Sequence, residues 1–99
     1  MITAEAIPKP EKARHAAAAL QKVGFRVISI GYSITIGGEP KLFERTFSTR
    51  LGKVSKDAFP SVPGAAQTEY YRPQYPPVIP ERLRNLVDEI HFPEPPEFF

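Results

Sequence analysis

Nine of the twelve prolines fall in residues 60–99, at positions 60, 63, 73, 76, 77, 80, 93, 95 and 96. Each removes a backbone donor and fixes φ, which bars it from helix interiors and central strands. Most regular structure must therefore come from the first sixty residues. The final forty are expected to supply turns, an edge strand, one helix begun by a proline, and extended chain. With 99 residues, 41% hydrophobic and 24% charged, there is material for one core and one domain.

Several function classes fall away on composition. The chain has no cysteine and two histidines, His15 and His91. Disulfides, thiolate metal sites and a cysteine nucleophile are excluded, and neither a metal site nor a cofactor is expected. The net charge of +2 is spread over interleaved acids and bases. Lys41, Arg45, Arg50, Lys53 and Lys56 form a loose basic run that reads as a solvated face, so no nucleic-acid partner is expected. There is no apolar run of about 18 residues and no basic-then-apolar leader pattern, so no membrane partner is expected either. A complete native chain of this kind would be cytoplasmic. One excised from a precursor would be secreted.

Residues 10–23 read as a helix that starts at Pro10 and Glu11 and ends at Gly24, with Ala13, Ala16, Ala17 and Leu20 as a narrow stripe for packing on a sheet. Gly24 is a natural left-handed residue after the helix. FRVISIGYS, 25–33, reads as a strand, with Ile28, Ile30 and Tyr32 sharing a face with Arg26 and with Phe25, Val27 and Ser29 opposite. Apolar residues on both faces point to a central position. ITIGG, 34–38, follows too closely for a crossover and predicts an antiparallel hairpin with it. Gly37 and Gly38 read as the turn into a short helix over 40–47, not as a phosphate loop, because no lysine follows at the required spacing. Residues 48–54 are a weaker strand, 55–78 are mostly loop, and TEYYR at 68–72 reads as an edge strand ending at Pro73. IPERLRNLVDEI, 79–90, has Pro80 in first position and Ile79, Leu83, Leu86, Val87 and Ile90 on one helical face, which predicts a helix docked on the core.

No catalytic apparatus is expected. There is no nucleophile-elbow motif and no local pairing of serine with histidine. His15 reads as solvated and His91 as the end of the last helix. The least ordinary feature is the terminal segment 93–99, in which Pro93, Pro95 and Pro96 precede Glu97, Phe98 and Phe99. Two terminal phenylalanines behind a stiff spacer suit an extended peptide that enters a partner's cleft, or fold back on their own domain. Pro95, Pro96, Glu97, Phe98 and Phe99 are the partner-binding candidates, together with the edge-strand aromatics Tyr70 and Tyr71. The chain thus divides into a domain, 1–92, and a tail, 93–99.

The stretch from Ala13 to Phe47, then Tyr71-Arg72, then Ile79-Pro80 to Val87, resembles the activation prosegment of sedolisin-type serine peptidases, the pro-kumamolisin domain. The matching features are Leu20 before Gly24-Phe25, the strand Ile34 to Gly37, and the helix Leu42 to Phe47. The resemblance implies an α+β fold, a ferredoxin-like antiparallel sheet with helices packed on one face. It implies a partner, a serine peptidase catalytic domain bound in cis or in trans, with the sheet face on the enzyme and the tail along its cleft. The chain would then be a non-catalytic inhibitor or folding assistant. The alternative is a structural or regulatory interaction domain of the same fold whose tail docks on a non-protease partner. The family's longer N-terminal portion is here reduced to residues 1–10 and its peptidase domain is not within these residues, so the resemblance implies either an excised fragment or a free-standing relative acting in trans.

Overall fold

The computed structural model describes residues 1–57 and 67–94. The first residues alternate, with Ile2, Ala4 and Ala6 set against Thr3, Glu5 and Ile7, and they form a strand, Ile2–Pro8 (β1). It is followed by helix Ala13–Val23 (α1), strands Arg26–Ile30 (β2) and Ile34–Gly38 (β3), and helix Pro40–Thr46 (α2). Strands Leu51–Asp57 (β4) and Gln67–Pro73 (β5) come next, then a single 3-10 turn over Glu81–Leu83, and last strand Val87–His91 (β6). Four strands make an antiparallel sheet in the order β2-β3-β1-β6, and β4 and β5 pair in a separate two-stranded sheet. The protein is a small α+β domain, with two α-helices among the described residues.

The opening residues of the sequence therefore form an inner strand of the sheet. β1 pairs with β3 from Ile2↔Gly38 to Ala6↔Ile34, and with β6 from Glu5↔His91 to Pro8↔Val87. Ala4 and Ala6 are completely buried on one face, in a cluster with Ala16, Ala17 and Leu20 of α1. Small residues on strand and helix let the two layers approach closely. Phe25, Phe43 and Phe47 complete the core with Ile34, Ile36, Leu83 and Val87. The Phe25 and Phe43 rings lie 4.7 Å apart, tilted at 47°, within the range where aromatic pairs attract beyond their buried area.

Helix α1 begins at Ala13, three residues later than the proline signal predicts. Glu11 sits at a left-handed φ of 64° and the Lys12 N–H bonds to the Lys9 carbonyl at 3.0 Å, so Pro10–Lys12 form a turn and not a first helical turn. The helix ends as expected. Gly24 has φ 125°, and Phe25 N–H closes back on the Leu20 carbonyl at 3.2 Å. Gly38 lies inside β3 and serves close approach: a β carbon there would fall 3.0 Å from Phe25 Cδ1.

Two readings of the sequence are corrected. β2 is an edge strand, not a central one. Its pairing with β3 shifts between Val27 and Ser29, so Ile28 is an extra residue, a β-bulge. Val27 and Ile30 consequently oppose Ile36 and Ile34 on the core side, while Ile28 leans over Gly37 on the other. The predicted face of Ile28, Ile30 and Tyr32 does not exist. The second correction is that the segment 79–90 is not a helix. It is one 3-10 turn and a strand, held to β1 by the Lys9 N–H bond to the Leu86 carbonyl and by the β1·β6 ladder. The bulge in that ladder lets Val87 and Ile90, three residues apart, both face inward. Unpaired, one side of the buried strand β1 would keep its amides unsatisfied, a cost that local helix propensity does not offset.

Truncating Phe25 to alanine removes the ring that touches both Phe43 and Phe47. Phe25→Ala is expected to cost about 3–5 kcal/mol of unfolding free energy. The check is the denaturant midpoint at unchanged m-value; a loss below about 1 kcal/mol would place the energetic centre of the core elsewhere.

Candidate protein-binding surface

One face of the four-stranded sheet belongs to the core; the other presents side chains outward. Alternation along β1 sends Thr3, Glu5 and Ile7 to that second face, and the ladders bring Thr35, Gly37, Glu89 and His91 beside them. A hydrogen-bonded line crosses it. Ser33 Oγ donates to Glu5 Oε1 at 2.6 Å, Thr35 Oγ1 donates to the same oxygen at 3.0 Å, and Ser29 Oγ donates to Thr35 Oγ1 at 3.0 Å. His91, the ladder partner of Glu5, holds Glu89 at 3.1 Å. At the β2 end the face turns apolar: Met1 Sδ and Ile28 Cδ1 lie 3.1 and 3.3 Å from where a Gly37 β carbon would be. A fixed polar centre with an apolar margin can bind another protein surface by shape and hydrogen bonding.

The serines of this face donate along a chain that ends on the Glu5 carboxylate. Among the described residues, no three or more His, Asp and Glu side chains group as a metal site would require. None of the described helices is long and apolar enough to cross a membrane. His15 is exposed on α1, as its setting in the sequence predicts.

The other candidate region is where the chain leaves the domain. Tyr70 and Tyr71 sit on β5, both half-buried, and Tyr71 packs against the core. With Ile2, Thr3, Phe92 and Pro93 they line a hollow of about 220 Å³. Phe92 is anchored edge-on to Phe43, centroids 5.4 Å apart. Beyond it Glu94 lies 3.9 Å from Arg72 Nε, alongside β5. The structure thus joins Tyr70 and Tyr71 to the start of the tail. Pro95, Pro96, Glu97, Phe98 and Phe99 lie outside the described residues. The resemblance implied a contact through a sheet face, but the residues of the second face were not identified from the sequence, although the alternation in ITAEAIP signals them.

The β4–β5 ribbon carries its own charge pair. Lys53 Nζ is 2.9 Å from Glu69 Oε2. The hydrogen bond and the charge of Glu69, with a contribution from Tyr71, hold the Lys53 ammonium above its ordinary pKa of 10.5. Lys53 in the basic run is therefore already engaged, and Arg72 is shared with Glu94. Comparison with family models, with curated proteins and with solved structures returns no match.

Because the folded pKa of Lys53 is raised, the pair's stabilisation is complete below the unfolded value of 10.5 and is lost as pH rises through the higher folded one. An NMR titration of the Lys53 side chain is expected to give a midpoint above 10.5 that falls in Glu69→Gln. An unchanged midpoint in that variant would assign the shift to another group.

Proposed function

We propose that the chain is a non-catalytic, prosegment-like domain that inhibits, or assists the folding of, a subtilisin- or sedolisin-like serine peptidase. One observation carries the reading: the last strand of a sheet with an outward second face runs straight into the proline-bearing terminal segment. A partner can therefore meet the face and the tail together. The finer fold reading, ferredoxin-like, draws support from the same frame. Set aside the β4–β5 ribbon and the order is strand, helix, strand, strand, helix, strand, with sheet order β2-β3-β1-β6.

In this reading the line Ser29, Thr35, Glu5 and Ser33 offers fixed acceptors and donors to the enzyme's surface, and Met1 and Ile28 bury against it. The segment 93–99, stiffened by Pro93, Pro95 and Pro96, enters the substrate cleft as an extended peptide with Phe98 and Phe99 in apolar subsites. Tyr70 and Tyr71 wall the hollow beside Phe92 and Pro93, where that segment starts.

The purified domain titrated against one subtilisin and one sedolisin is expected to inhibit at sub-micromolar concentration. Deleting residues 93–99 should weaken inhibition at least tenfold, about 1.4 kcal/mol, and Thr3→Arg on the second face should weaken it independently. Inhibition indifferent to both changes would remove the proposed interface. No inhibition of either enzyme, with the domain shown folded by circular dichroism, would overturn the peptidase reading and favour a non-protease partner.

A further inference from the structure

The two outer strands of the main sheet are finished differently. β6 carries Asp88, Glu89 and His91 as exposed polar residues, and Asp88 is paired with Lys9. Charged, short edges of this kind resist pairing with another chain. β2 is as short as β6 and likewise bulged, but it lacks that charge. Arg26 is its only charged residue, Ile28 and Ile30 are each about half exposed, and Tyr32 just beyond is 94% exposed. No strand among the described residues pairs with its outer side.

We propose that β2 is a self-association edge, at which a second copy of this chain adds its own β2 antiparallel to the first and continues the sheet. The occupant follows from the bulge. An ordinary strand laid along β2 would fall out of phase at Ile28, because the extra residue breaks the two-residue alternation of faces. A second β2 carries the same bulge in the reverse direction. With the two-fold axis at Ser29, Ser29 meets Ser29 of the second copy on the face it shares with Thr35. Ile30 then opposes Val27 of the second copy, both on the core side, and symmetry repeats that contact. The two Ile28 residues lie on the second face, beside the Met1 margins. Each half-exposed apolar side chain of the edge gains an apolar partner.

Charge also suits a second copy. In this register Arg26 stands opposite Gly31 of the other chain, next to its exposed Tyr32, an aromatic face that a guanidinium favours. The two Arg26 residues are about four paired positions apart along the strands, the bulged Ile28 not counted, roughly 14 Å at the usual rise and beyond the Debye length of about 8 Å. Like-charge repulsion at the seam is therefore small. The inference does not depend on the peptidase reading.

The absence of cysteine in the sequence makes the axis directly testable. Ser29→Cys places two thiols on the two-fold, where facing β carbons of paired strands are about 4.5–5.5 Å apart, near disulfide reach. Mild oxidation of Ser29→Cys at high protein concentration is expected to give a disulfide-linked dimer at least tenfold faster than Ser55→Cys on the exposed part of β4. Sedimentation of the unmodified chain should show a concentration-dependent dimer that Ile30→Lys weakens at least tenfold. A chain that stays monomeric up to about millimolar concentration, with Ser29→Cys linking no faster than Ser55→Cys, overturns the proposal. So does a dimer that links equally at both positions. The cross-linking comparison stands even if Ile30→Lys fails to fold.

Discussion

Everything in this fold hangs on the double pairing of β1. A strand with neighbours on both sides has all its backbone groups satisfied by other strands, and here those neighbours, β3 and β6, come from the middle and the end of the chain. Once Ala4 and Ala6 are buried, no water reaches them to replace a missing partner. The pairing therefore dictates what the residues around Val87 must become. It also fixes which side chains of β1 face outward, and so places Glu5 within reach of Ser33 and Thr35.

The two bulges in the outer strands share a logic. Each inserts one residue, at Ile28 in β2 and at Asp88 in β6, and each makes apolar residues three apart share a face. In a sequence that spacing is the mark of a helix. Residues 79–90 read as helical for this reason: Leu83, Val87 and Ile90 keep a helical interval while serving a turn and a bulged strand. Local propensity is a weak prior, and the unpaired flank of β1 outweighs it.

Where local physics decides, the sequence is legible. The Gly24 stop, the small-residue stripe of α1, the strand at 34–38 and the proline-started α2 all rest on interactions within a few residues, and all are present. The aromatic edge strand at 68–72 lies within β5. The second face is another matter. Its hydroxyl and carboxylate line joins residues 28 and 30 positions apart, and it exists only because an opening segment with a plain two-residue alternation lies at the middle of the sheet. Reading that segment as a remnant hides the face entirely. Long-range pairing, not residue chemistry, is what the sequence left unwritten.

The pairing of Ala6 with Ile90 also bears on how the molecule comes into being. The β4–β5 ribbon and the α1–β2–β3 unit bring together residues close in sequence and can form as the chain emerges. The central strand β1 is made well before β6 and has no second neighbour until β6 has been synthesised. At ordinary translation rates of about 5–20 residues per second, β1 waits several seconds with one flank bare. Its exposed edge in that interval is short, alanine-rich and interrupted by Glu5, a composition poorly suited to pairing with strangers. The same small residues that let helix and sheet approach in the finished domain thus keep the unfinished one from associating before its last strand arrives.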